Sequence, residues 1–234
     1  MALPVIDTPK YSVKIPSTGK TVAYRPYLVK EEKVLMIALE SENQEQVLTA
    51  VKDIIHACTY EKVDVDQLAS FDLEYLFLKL RSKSVGETST IGLKCSECQT
   101  SNSVDIPVDS IEVTMPEGSS NSIMLTDKIG ITLRYPTVKD IQKLSATKEG
   151  VDQMMKTVVL CIENIYDDEK VYPAKDSTPK ELEAFIDSLN SEQFKKIQRF
   201  FESMPSLKYD VKYTCENCGT VNEFELRGLA NFFG

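Results

Sequence analysis

Cys95-Ser96-Glu97-Cys98 and Cys215-Glu216-Asn217-Cys218 are the two stretches whose reading decides the fold. Each C-x-x-C hook lies between runs that read as β-strands: 88–93 and 101–106 around the first, 208–213 and 220–226 around the second. A redox C-x-x-C of the thioredoxin kind opens a helix, so strand flanks argue against that chemistry. Two such pairs supply four thiolates, the donor set of a closed tetrahedral zinc site. The expected ligands are Cys95, Cys98, Cys215 and Cys218, and the expected cofactor is a structural Zn2+. Gly219 follows the second hook directly and suits the tight turn of a zinc knuckle. Gln99 holds the same place in the first hook and suits it less well. Four free thiols without metal are the competing reading.

Composition narrows the classes around the hooks. The 234 residues suit one large domain or two of ordinary size. Apolar residues make up 42% and charged residues 27%, enough for ordinary cores and a solvated surface. The formal net charge of -9 disfavours general phosphate-backbone binding, which needs a basic face. No apolar run approaches the roughly 18 residues of a membrane span. The first five residues lack the charged and apolar regions of a signal peptide, so none is expected. Six cysteines in such a chain favour metal or buried thiols over disulfides. Cys58 and Cys161 fall in apolar helical runs and read as core thiols.

No catalytic constellation is present. His56 is the only histidine and has no partners from which to build a metal site or a proton relay. Ser17-Thr18-Gly19-Lys20-Thr21 has a faint look of a phosphate loop. It lacks the first glycine and the following helix, and reads as a hairpin turn. Asp167-Asp168-Glu169 lacks the central glycine and closing glutamate of a calcium loop, and reads as a solvated acidic turn. The expectation is therefore a non-enzymatic protein with no small-molecule substrate.

Taken in order, the chain is α+β. A hairpin at 11–15 and 21–25 leads to a helix over 29–39 and a second one capped by Asn43. Ser70 is expected to cap a core helix carrying Leu73, Leu76, Phe77 and Leu80. After a linker-like stretch at 116–122, the pattern restarts with a hairpin at 123–125 and 129–135. Helices are expected at 138–146 and 151–165, the latter with a stripe of Met154, Met155, Val158, Val159 and Ile162. Thr178-Pro179-Lys180-Glu181 is a strong helix start for 180–189, and another helix is read at 192–203. Leu229, Phe232 and Phe233 form an apolar tail.

Both halves run hairpin, proline, helices, strand, hook, strand. Tyr24-Arg25-Pro26-Tyr27-Leu28-Val29-Lys30 compares with Leu133-Arg134-Tyr135-Pro136-Thr137-Val138-Lys139. The expected organisation is an internal duplication: an N-terminal repeat at 1–115, a linker at 116–122 and a C-terminal repeat at 123–234. Each repeat ends in a β-hairpin zinc knuckle, and one shared site fastens the halves. Zinc binding worth roughly 10–16 kcal/mol in small peptides makes such a fastening strong.

Two further stretches carry a family resemblance: Pro16-Ser17-Thr18-Gly19-Lys20 with Arg25-Pro26-Tyr27-Leu28-Val29-Lys30-Glu31-Glu32-Lys33, and 71–87, which begins Phe71-Asp72-Leu73-Glu74-Tyr75. With the two hooks, they resemble the T4-like bacteriophage baseplate protein family. The resemblance implies a late phage protein of the contractile-tail baseplate hub, either a virion subunit or an assembly factor that leaves. It implies other hub proteins as partners and the host cytoplasm or the virion baseplate as location. It brings no catalytic residues. The alternative is a zinc-ribbon module of a nucleic-acid or transcription-associated factor, against which the acidic charge counts.

Overall fold

A computed structural model of the chain describes residues 6–116, 120–145 and 150–228. It is α+β, with seven α-helices and small antiparallel sheets among the described residues. The chain forms two compact units, one of residues up to Thr114 and again from Ser206, the other of Met115–Pro205.

The first unit opens with β1 (Tyr11–Lys14) and β2 (Thr21–Tyr24), paired antiparallel with Tyr11 opposite Tyr24. Gly19 sits at φ 68 in the turn, a conformation that glycine adopts without penalty. The Ser17 N–H donates to Asp72 Oδ1 at 3.0 Å and its hydroxyl donates to Asp72 Oδ2, so the turn is tied to the core. The phosphate-loop likeness ends there. α1 (Val29–Glu40) and α2 (Gln44–Cys58) follow, the second capped by Asn43 as expected. α3 spans Ser70–Ser84 and buries Leu73, Leu76, Phe77, Leu78 and Leu80. Each such side chain contributes about 1.5–3 kcal/mol on burial. Ser70 is the first helical residue and Ala69 the cap, so the expected serine cap is absent. β3 (Ser89–Lys94) and β4 (Ser101–Ile106) pair antiparallel across the first hook, and a two-residue β5 (Val113–Thr114) closes this segment.

The second unit is built on a sheet in the order β6 (Ser122–Met124), β7 (Gly130–Leu133), β8 (Ile162–Tyr166), β9 (Val171–Pro173). Its helices are α4 (Val138–Ser145), α5 (Val151–Cys161), α6 (Pro179–Asp187) and α7 (Ser191–Glu202). Ile131, Leu133, Val158, Leu182, Ile186, Ile197 and Phe200 form its core. Gly130 lies close against Tyr166: a Cβ there would lie 2.2 Å from the end of that ring, which would have to move aside. Thr178 and Glu181 make the expected capping box, with Pro179 at the first helical position. The Asp167 carboxylate accepts the N–H groups of Glu169 and Lys170 at 2.9 and 2.8 Å, making the acidic run a β8–β9 turn. The expected helix over 151–165 stops at Cys161. Its last residues form β8, because Ile162 and Ile165 find antiparallel partners in β7. The expected 138–146 helix is described to its residue 145. Residues 117–119 of the linker stretch and the tail residues Leu229, Phe232 and Phe233 lie outside the described residues.

β10 (Ser206–Thr214) and β11 (Val221–Arg227) then return to the first unit. Leu207, fully buried, pairs with Val113 of β5, and β10 pairs with β11 across the second hook. The compact units therefore differ from the 1–115 and 123–234 division drawn from the repeats. Pairing across the fold, rather than sequence order, decides where residues from 206 onward belong.

Each unit contains one corner of the same design. In the first, the Arg25 N–H donates to Cys58 O at 3.0 Å and its guanidinium donates to Glu31 at 2.9 Å and Pro26 O at 3.0 Å. In the second, the Arg134 N–H donates to Cys161 O at 2.8 Å and its guanidinium to Asp140 at 2.6 Å and Tyr135 O at 3.2 Å. Glu31 also accepts the Leu28 N–H, and Asp140 that of Thr137. Burial works against ionisation of both acids, but the arginines and N–H groups outweigh it and hold both below the usual carboxylate range. Cys58 and Cys161 are fully buried, and burial pushes their thiols up to about 11 and about 12. They are unreactive core groups.

Candidate metal centre

The two hooks have the same local build. Cys95 N–H donates to Thr100 O at 2.9 Å and Gln99 N–H to Cys95 O at 3.1 Å. Cys215 N–H donates to Thr220 O at 2.8 Å and Gly219 N–H to Cys215 O at 2.9 Å. Both turns pass through a left-handed residue, Gln99 at φ 58 and Gly219 at φ 72. Cys98 Sγ lies 3.3 Å from Thr100 Oγ1, and Cys218 Sγ lies 3.3 Å from Thr220 Oγ1.

β4 and β11 carry the hooks to one place. Cys95 Sγ is 3.6 Å from Cys218 Sγ, and Cys98 Sγ is 3.6 Å from Cys215 Sγ. All four sulfurs lie within 4.8 Å of one another. A disulfide needs about 2.05 Å, so these are four separate sulfurs. A tetrahedron with metal–sulfur bonds of about 2.3 Å has edges near 3.8 Å, close to the spacing found. Such a cluster can hold a metal ion with no open position.

Two asparagines lock the hooks together, each reaching to the opposite one. Asn222 Oδ1 accepts the Ser96 N–H at 2.9 Å, and Asn102 Oδ1 accepts the Glu216 N–H at 3.0 Å. Each asparagine is 3% exposed, and each also donates to a threonine carbonyl beside its own hook. Asn222 Nδ2 is in addition 3.5 Å from Cys95 Sγ. Metal-ligand spacing alone does not single out these residues, but the sequence carries a signal for them. Both hooks read C-x-x-C-x-T-x-N, with Thr100 and Asn102 in one and Thr220 and Asn222 in the other.

The electrostatics fit a cationic occupant. The Cys98 N–H and further hydrogen bonds hold the Cys95 thiol below its usual value. The Thr100 hydroxyl and N–H bring Cys98 down to about 5. Cys218 receives the same help from Thr220, yet the neighbouring Cys98 and Cys95 leave it raised. Hydrogen bonds favour the thiolate at Cys95 and Cys98 while their neighbourhood disfavours it at Cys218, a conflict that a bound cation would resolve. His56 is on α2, with Nδ1 3.4 Å from Val63 O, and takes no part in the cluster.

The chain is 27% identical to the baseplate hub assembly protein gp26 of Enterobacteria phage T4 over 225 residues, covering 96% of this chain and 97% of that protein. No solved structure matches it. The family model described as T4 bacteriophage base plate protein matches residues 8–234, and the chain belongs to that family.

Proposed function

We propose that this protein acts in assembling the baseplate hub of a contractile phage tail, as a non-enzymatic assembly factor or hub subunit. The observation that carries this is the end-to-end match to a protein named for hub assembly. Its partners are other hub proteins, met in the host cytoplasm, and its described helices include none long and apolar enough to cross a membrane. The family match gives the zinc-ribbon transcription alternative no support.

Within this reading, Cys95, Cys98, Cys215 and Cys218 hold one structural Zn2+, and the halves derive from an internal duplication. The sulfur spacing and the threonine and asparagine partners support the metal. The repeated motif and the repeated arginine corner support the duplication. With a bound ion the residues would form a closed thiolate shell whose contribution is cross-linking.

The test is copurification from infected cells, set against purified virions. An assembly factor associates with hub intermediates and is missing from finished particles, whereas a subunit is present in both. Absence from every hub intermediate overturns the reading.

A further inference from the structure

An open cavity of about 690 Å³ in the first unit is lined by four lysines and a single carboxylate. This is unusual in a chain with 27 basic and 36 acidic residues. Lys10 and Lys14 come from β1 and the residue preceding it, Lys79 and Lys83 from successive turns of α3, and the carboxylate is Asp109. Two physical features make it a built site.

The first is how the inner ammonium groups are held. Lys79, 9% exposed, donates to Asp109 O at 2.5 Å and Glu112 at 3.0 Å. Lys83 pairs with Glu87 at 2.5 Å and Asp109 at 3.2 Å. The side chains of Glu87 and Glu112 are 63% and 67% exposed, so an arriving carboxylate can replace Glu87 directly, and can replace Glu112 by also accepting the Tyr75 hydroxyl that Glu112 holds at 2.6 Å. The second is the rim. Among the described residues, neither Lys10 nor Lys14 has a carboxylate partner, and both are exposed. Tyrosine rings accompany the ammonium groups: Lys79 Nζ lies 5.1 Å from the Tyr75 ring centre, and Lys83 Nζ 5.7 Å from that of Tyr11.

We infer that this cavity binds an acidic peptide segment of a protein partner. Lysines distributed over two elements, with no arginine fork among the lining residues, match several separated carboxylates better than one phosphate group. The tyrosines supply contact area for the peptide between its charges. A long nucleic-acid polyanion would have to lie against the acidic remainder of the surface. The inference goes beyond the metal clasp and uses none of its residues, so either can fail alone.

The test is fluorescence anisotropy of the full-length, metal-replete protein with a labelled glutamate-glycine repeat peptide at low ionic strength. A glutamine-glycine repeat is the neutral control and inorganic phosphate the competitor. The expected results are binding of the glutamate peptide only and weakening as salt rises. Lys10→Glu combined with Lys14→Glu should reduce affinity by about tenfold or more. Lys20→Glu, exposed on the same hairpin outside the cavity lining, should leave it unchanged. Equal affinity in the double variant, equal binding of the neutral peptide, or loss caused equally by Lys20→Glu overturns the inference. Full displacement by inorganic phosphate at millimolar levels also overturns it, marking a small-anion site. Both variants alter exposed positions in or beside the first hairpin, and unchanged thermal melting shows that the fold is kept.

Discussion

Two devices occur twice in this chain, and they are deployed differently. The arginine corners, Arg25 with Glu31 and Arg134 with Asp140, are each completed within their own compact unit. The cysteine hooks are each incomplete alone, and both belong to the first unit, where one finishes the other. Copies of the corner share no partners, whereas copies of the hook meet each other through their sulfurs and asparagines. Independent copies predict additive mutational effects and mutually dependent copies predict the reverse.

The largest expected effect breaks the hook side of this contrast. Cys95→Ser and Cys215→Ser should each drop zinc from one ion per chain towards none. Each should cost on the order of 2–5 kcal/mol, as loss of a native cross-link does. The double variant should be little worse than either single one. Metal analysis with denaturant unfolding checks this. A single variant that keeps its full metal and stability removes the shared site.

The corners should behave oppositely. Arg134→Ala removes the cation paired with the buried Asp140, at a cost of roughly 3–5 kcal/mol; Arg25→Ala should cost less, because the exposed Lys30 still lies 3.3 Å from Glu31, and the two costs should add. The same acids set an acid limit. Their folded pKa values lie below the ordinary 4.5 and 3.8 of Glu31 and Asp140, so the unfolded chain binds more protons. Their stabilisation is complete above those ordinary values and is lost as pH falls through the folded ones. Acid titration of the melting temperature should show a decline beginning near pH 4.5 that the two arginine variants blunt.

A finer test lies with the asparagines. Asn102→Ala and Asn222→Ala each remove the acceptor of a backbone N–H of the opposite hook, on the exposed residues Glu216 and Ser96, at about 0.5–1.5 kcal/mol. They should couple, with the double variant departing from the sum by about 0.5–3 kcal/mol. Strict additivity by chemical denaturation would make the asparagines separate props. The smallest effect concerns the turns. Gln99 holds a left-handed conformation that glycine adopts freely, so Gln99→Gly should stabilise by up to about 1 kcal/mol. Gly219→Gln should cost a similar amount, and equal stability of both variants with the parent would mean the turns carry no strain.

Much of this was legible in the residues. The hooks, the hairpin turn at Gly19 and the Thr178 cap depend on neighbours in sequence, and local chemistry announces them. The end of α5 was harder, because Ile162 continues the helical stripe as well as it begins a strand, and only β7 decides between them. The unit boundary was the hardest to read. It rests on the β5–β10 pairing at Leu207, which leaves no periodic trace, and on the meeting of the two hooks, which the cysteines do announce. Asn102 and Asn222 were visible as letters, but their role depends on a hook over a hundred positions away.

That distance has a consequence in time. Cys98 and Cys215 are 117 residues apart, so a ribosome adding roughly 5–20 residues per second delivers the second about 6–23 s after the first. Throughout that interval the nascent chain offers an ion two donors and no asparagine lock. Under the metal-bound reading, four-cysteine coordination would become possible only after Cys218, and the asparagine lock only after Asn222, has been made.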